Sequence, residues 1–153
     1  MRVQDEREPV VVGVGAVAGS GAYYSGDGSD RLFAEPMTST GCVSVFGMCP
    51  QDKGLMEDKL GLTIDTVNIG KHANGFSPFR PLDDEERAVM KMRTEAIYAT
   101  FLQRVADGRS LPLAIVQEIA QGRVYAAERA LELGLVDRLA SLADARAPAT
   151  PLA

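Results

Sequence analysis

The sequence has few cysteines, no excess of positive charge and no long apolar run, and each absence excludes a class of protein. Its two cysteines, Cys42 and Cys49, are too few for a disulfide scaffold and lack the C-x-x-C spacing of a zinc site. With 16 basic and 21 acidic side chains the net charge is -5, without the clustered Lys and Arg that nucleic-acid binding requires. No segment reaches the roughly 20 apolar residues of a membrane span. We therefore expect no nucleic-acid partner, no membrane span in this chain, and two cysteines buried as small hydrophobic residues.

One short apolar stretch, residues 10–18, resembles a signal peptide because it ends in Ala16-Val17-Ala18. The residues before it carry three carboxylates alongside two arginines, whereas a signal peptide begins with a cationic segment. The β-branched composition of the stretch instead predicts a buried strand.

The remaining composition is typical of a soluble globular protein, with 153 residues of which 46% are apolar and 24% charged. Strand-like and helix-like segments alternate, which favours an α/β fold. Strands are predicted at 9–17, 31–34, 41–47, 62–69 and 135–137, and helices at 53–60, 83–107, 112–121 and 126–133. The tail at 143–153, rich in Ala and Pro, is predicted to be flexible.

The longest predicted helix carries signals at both ends. Asp83 and Glu86 have the spacing of a capping box at its start, and Gly108 stands where a glycine often follows a helix. One face of this helix is apolar and is expected to pack in the core; it comprises Met90, Ile97, Phe101 and Val105.

Residues 13–18 fit the G-x-G-x-x-A pattern of a dinucleotide-binding turn, with Glu35 near the expected acidic position. Such a site needs a solid helix after the turn. Residues 19–30 contain four glycines, and each costs about 1 kcal/mol relative to alanine in a helix interior. A dinucleotide-binding oxidoreductase is therefore the disfavoured alternative.

Ser20 is a candidate nucleophile because it follows the predicted buried strand and has only small neighbours, from Ala18 to Ala22. Small side chains let a substrate backbone approach a hydroxyl, and a glycine-rich strand-to-helix turn is typical of exposed nucleophiles. The structural alternative is an N-cap serine, whose hydroxyl bonds the first helical N–H groups. Spacing alone favours the N-cap.

Residues 9–24 read P-V-V-V-G-V-G-A-V-A-G-S-G-A-Y-Y. They resemble the nucleophile segment P-V-V-V-S-M-G-x-x-A-A-S-G-G-Y-Y of the signal peptide peptidase A (SppA), or protease IV, family. The likeness continues in the same order through residues 30–36, 40–41, 70–71, 77–82, 108–109, 122–125 and 130–137. The resemblance implies a ClpP/crotonase-like fold of stacked ββα units over residues 1–142, incomplete at the N-terminus, and a Ser–Lys serine peptidase.

By this resemblance, Ser20 attacks a peptide carbonyl and the Gly21 amide helps to hold the oxyanion. A serine hydroxyl needs a base to remove its proton, and lysine is a base only when burial lowers its pKa from about 10.4. The resemblance implies a peptide substrate, such as signal-peptide-like remnants, and neither a cofactor nor a metal.

The chain departs from the family where the base should stand. In short members the base is the second lysine of a G-K-Y-K-like segment, and this chain has Gly70, Lys71, His72 and Ala73 there. Ala73 occupies the base position, so Lys71 is not expected to be the base. His72 is expected to be a loop histidine rather than a catalytic one. Long members carry the serine in a C-terminal unit and the lysine in an N-terminal unit, and this chain resembles the C-terminal unit.

The resemblance also sets expectations about partners. Family members have an upstream strand–helix segment with a further oxyanion donor, and loss of one donor can lower the rate by about 10²–10³-fold. We expect the chain to associate with a complementary N-terminal unit or with copies of itself. The family resemblance suggests a membrane-associated protein whose anchor lies outside this chain. The alternative within the same fold is a non-catalytic assembly subunit that retains the serine by descent.

Overall fold

The computed structural model describes residues 10–141 and 143–144, and the chain divides into two compact units. The first unit comprises Met1–Val45 and Ile97–Ala153, and the second comprises Phe46–Ala96. Most of the tail predicted at 143–153 lies outside the described residues. The described strands all belong to the first unit.

Two small sheets organise the first unit. In chain order the strands are β1 (Val11–Val14), β2 (Val17–Gly19), β3 (Arg31–Ala34), β4 (Ser39–Gly41), β5 (Val124–Ala126) and β6 (Arg138–Leu139). One sheet has the order β1-β3-β6 and is parallel throughout. The other has the order β2-β4-β5, with β2 parallel and β5 antiparallel to β4. The mixture of helices and parallel strands confirms the α/β class.

The strand predicted at 9–17 is two strands, one in each sheet. The chain turns at Gly15 and Ala16, and the buried Thr38 hydroxyl holds this turn by donating to the Gly15 carbonyl at 2.5 Å. Val14 and Ala18 enter the core on either side of the turn, while Val17 is exposed. The apolar stretch 10–18 therefore supplies a strand to both sheets.

The helices follow the predicted positions closely. They are α1 (Gly21–Gly26), α2 (Asp84–Arg109), α3 (Leu113–Ile119) and α4 (Ala127–Glu132), with a π-helical turn at Leu55–Lys59. Among the described residues, none of the helices has both the length and the apolar composition needed to cross a membrane. A six-residue helix at 21–26 is too short for a dinucleotide-binding βαβ unit, which weakens that alternative further.

The sequence predicted that Gly108 follows the end of the longest helix. The structure differs, because α2 continues to Arg109. A Cβ at Gly108 would collide with the Asp27 carbonyl oxygen and would lie 3.1 Å from the Gly28 Cα atom. The glycine is therefore required for the close approach of α2 to the backbone at 27–28.

Two predicted strands do not form. The segment 41–47 is strand only as far as Gly41, and 62–69 contains no strand. Val67 and Ile69 in the second segment are each 93% exposed. β-branched residues favour strands because they fit a pleated, half-buried surface, and the second unit provides no neighbouring strand among its described residues. The closing strand is also shifted, to Arg138–Leu139 rather than 135–137.

The core prediction for α2 holds for two of its residues within the first unit. Phe101 and Val105 are buried, as expected, whereas Ile97 is 56% exposed. The expectation of two buried cysteines is wrong, because Cys42 is half-buried and Cys49 is exposed; both are free thiols.

Candidate active site

Ser20 lies at the junction of β2 and α1, where the sequence placed it. It follows Gly19, the last residue of β2, and precedes Gly21, the first residue of α1. Its backbone N–H donates to the Gly41 carbonyl at 3.0 Å, and its carbonyl accepts from the Tyr24 N–H at 2.8 Å. The N–H of Ser20 is thus bonded to the sheet and its carbonyl to the helix. The residue is half-buried.

The backbone of Ser20 is in a conformation that serine rarely adopts, with φ 51° and ψ -116°. These angles match the first central position of a type II′ turn, which is dominated by glycine. The hydroxyl makes no capping hydrogen bond. The N-cap interpretation therefore accounts for the position of Ser20 but not for its hydroxyl, and strained residues of this kind cluster at active sites.

Replacing Ser20 by glycine should stabilise the protein relative to Ser20→Ala. Strain at such a position is about 1–3 kcal/mol, and glycine relieves it at an entropic cost of about 0.5–1 kcal/mol. We expect Ser20→Gly to exceed Ser20→Ala by about 1 kcal/mol in the free energy of unfolding, measured by urea titration. Equal stabilities would show that the left-handed conformation carries no strain.

Gly21, the residue after Ser20, has open space around it. It is exposed, and a Cβ built on it would meet nothing within 4 Å. The first N–H groups of a helix have no intrahelical acceptor, so the Gly21 amide can donate to an incoming oxygen. Ser20 is thus followed in sequence by an exposed amide at the start of a helix.

The residues at the end of β4 are closely packed next to Ser20. Gly41 has a φ of 90°, and a Cβ there would lie 3.1 Å from the Tyr125 ring. The next residue, Cys42, also has a positive φ, and its N–H donates to the Arg123 carbonyl at 2.8 Å. The sequence analysis did not place Cys42 near the site, because it predicted that a strand continues there. The signal that could have pointed to Cys42 was the preceding Thr40-Gly41 pair, which resembles the family sequence.

The second unit holds the loop around Lys71 and His72. His72 Nδ1 lies 3.3 Å from Glu86 Oε1 and 3.8 Å from Asp83 Oδ2, and its Nε2 lies 3.5 Å from Glu85 Oε1. A histidine with carboxylates at these distances is a possible metal donor set. The guanidinium of Arg80, however, already binds both Glu86 oxygens, at 2.8 and 2.5 Å.

Two of these carboxylates, Asp83 and Glu86, cap the start of α2. Glu86 N–H donates to Asp83 Oδ1 at 2.8 Å, and Asp83 N–H donates to Glu86 Oε2 at 2.9 Å, which confirms the predicted capping box. Hydrogen bonds from Arg80 lower the pKa of Glu86 to about 2, with further support from the Asp83 backbone. The positive end of a helix also disfavours a bound cation.

Residues 2–153 match the profile of peptidase family S49. The chain belongs to this family.

Three relatives show how much of a family member this S49 chain spans. A provisionally named signal peptide peptidase SppA of Enterococcus faecium is 36% identical over 137 residues, which are 90% of this chain and 40% of that protein. Protease 4 of Haemophilus influenzae is 34% identical over 138 residues, 90% of this chain and 22% of that protein. A provisionally named protease of Methanocaldococcus jannaschii is 34% identical over 140 residues, 92% of this chain and 45% of that protein. The S49 chain spans about half the length, or less, of the curated relatives it matches.

The lysines of this S49 chain lie at the protein surface. The chain has four lysines, and all are exposed; they are Lys53, Lys59, Lys71 and Lys91. Lys71 pairs with Glu85, and the hydrogen bond that it donates to this carboxylate raises the pKa of the lysine above its usual value. Exposed lysines beside carboxylates are unsuited to act as a neutral base.

Proposed function

We propose that this chain carries the nucleophile of a serine endopeptidase, with Ser20 as nucleophile and the Gly21 amide as an oxyanion donor. The observation that carries the proposal is the left-handed Ser20 backbone at a strand–helix junction, with a hydroxyl that does not cap the helix. Membership of peptidase family S49 and the protease names of its relatives support the same activity.

In the proposed reaction the base takes the Ser20 proton as Oγ attacks the peptide carbonyl. The Gly21 N–H donates to the oxygen that becomes negative in the tetrahedral intermediate. The intermediate collapses to an acyl-serine, and the protonated base gives its proton to the departing amine. Water then attacks the acyl group and frees Ser20.

We propose that the base is a lysine supplied from outside this chain. Ala73 stands at the base position of short family members, and all four lysines present are exposed. A lysine neutral near pH 7 needs desolvation, which a second polypeptide unit can provide by covering it. The proposed partner is a complementary N-terminal unit or another copy of the chain.

The proposed fold is of the ClpP/crotonase type, with residues 1–142 as the peptidase domain. Support comes from the two small sheets, in which β1 pairs with β3 and β2 with β4, each in parallel. The proposed substrates are peptides of the signal-peptide-remnant class. The name of the Enterococcus faecium relative supports this class.

A non-catalytic assembly subunit is the second candidate. It is favoured by one observation, the alanine at position 73. In that case Ser20 would be retained without turning over peptides.

Labelling with a fluorophosphonate probe distinguishes the two candidates. We expect wild-type chain, together with a lysine-bearing N-terminal unit, to be labelled at Ser20 and Ser20→Ala to lose the label. The matched control is Ser25→Ala, an exposed serine of α1 whose hydroxyl donates to the Gly21 carbonyl at 2.9 Å. Absence of label in the wild type under these conditions would favour the assembly subunit.

A further inference from the structure

Asp27 is a buried carboxyl group without a hydrogen-bond partner. It follows α1 directly, at the opposite end from Ser20, and it is 0% exposed. Its two oxygens are the only buried side-chain polar atoms left unpaired in the part of the chain that the structure describes. Buried polar groups are nearly always hydrogen-bonded, so an exception of this kind calls for a role.

None of the side chains that face Asp27 makes a hydrogen bond to its carboxyl oxygens. Arg104 Nη2 of α2 is 3.9 Å from Asp27 Oδ1, which is too long for a hydrogen bond. The Arg104 guanidinium lies over the Tyr24 ring of α1, 4.3 Å from its centroid. Arg109, also of α2, is paired with Asp137 at 2.5 Å. Tyr23 of α1 donates its hydroxyl to a backbone carbonyl.

The same short helix connects Asp27 to Ser20. The Asp27 N–H donates to the Tyr23 carbonyl, and the Tyr24 N–H donates to the Ser20 carbonyl, both at 2.8 Å. The Tyr24 ring contacts Phe101 of α2 edge-on, with centroids 5.1 Å apart. Arg104 therefore contacts, through Tyr24, the helix of six residues that begins beside Ser20.

We propose that Asp27 is a positioning residue for Ser20: loss of its proton draws Arg104 from the Tyr24 ring to the carboxylate and shifts α1. The importance of this shift for peptide cleavage rests on the proposed function, but the shift itself does not. Burial raises the pKa of Asp27 to about 6, while the positive charge of Arg104 opposes that rise.

The sign of the pH effect follows from the raised pKa. The folded protein binds the Asp27 proton more tightly than the unfolded chain, whose carboxyl has the ordinary value of 3.8. The stabilisation is complete below about pH 4 and is lost as the pH rises through about 6. The Asp27-dependent part of the folding equilibrium constant should fall about 100-fold across this interval.

NMR titration of the full chain between pH 4.5 and 8 tests the proposal without any need for activity. In the wild type we expect the Asp27 carboxyl carbon and the Ser20 amide to shift with one common midpoint near pH 6. In Asp27→Asn the Ser20 shift should be flat. The matched control is Asp107→Asn, the same change at an exposed position of α2, and its Ser20 shift should follow the wild type.

Arg104→Gln keeps the test decisive if Asp27→Asn fails to fold. Arg104 lowers the pKa of Asp27 and carries the proposed change to α1, so removing it should move the Asp27 midpoint upward and flatten the Ser20 shift. A Ser20 amide that ignores the Asp27 titration, or an Asp27 midpoint near 4, would overturn the proposal. Coupled titration without fluorophosphonate labelling would uphold this inference and count against the proposed peptidase function.

Discussion

Adding a lysine-bearing N-terminal unit should raise the peptidase turnover of this chain by about 10²–10⁴-fold, the usual contribution of a positioned general base. Without a base the Ser20 hydroxyl stays protonated at neutral pH and attacks an amide very slowly. We expect the lysines of the chain, which are all exposed, not to supply that base. The measurement is cleavage of an unstructured protein by the chain alone and after mixing with the N-terminal unit of a two-unit family member.

Two controls accompany the mixing experiment. The same N-terminal unit with its G-K-Y-K-like lysine changed to alanine should give no increase, and Ser20→Ala in this chain should abolish the increase. Strong Ser20-dependent cleavage by the chain alone would show that the base is internal, with Lys71 and His72 the first residues to test by substitution.

Gly108→Ala should destabilise the protein by about 2 kcal/mol, although the same change inside an open helix stabilises it by about 1 kcal/mol. The reason is that the new methyl group would collide with the backbone of Asp27, which cannot move aside as a flexible side chain can. The backbone at 27–28 would have to shift away from α2, with loss of packing around the end of α1. Urea unfolding at pH 7, followed by circular dichroism, measures the change.

Gly21→Ala is the matched control for this prediction. It is the same substitution in a helix of the same unit, at a position where the added Cβ meets nothing within 4 Å. We expect Gly21→Ala to be neutral or slightly stabilising. If Gly108→Ala also left the free energy of unfolding unchanged, the close approach of α2 to Asp27 would be looser than the structure indicates.

The helices could be predicted well because their signals are local. Asp83 and Glu86 mark the start of α2 by a reciprocal pair of hydrogen bonds that involves only neighbouring residues. The strand at 31–34 was also predicted with its observed bounds. The strands predicted at 41–47 and 62–69 failed because a strand requires a partner along its length, and sequence composition does not say whether that partner exists.

The sequence alone determined the α/β class, the position of Ser20 between a strand and a helix, and the absence of a lysine at position 73. Only the tertiary structure decided the backbone strain at Ser20, the close approach at Gly108 and the burial of Asp27. The physical reason is that capping and glycine content act between neighbours in the chain. Strain and desolvation arise when residues far apart in sequence are packed together, as α2 is against α1.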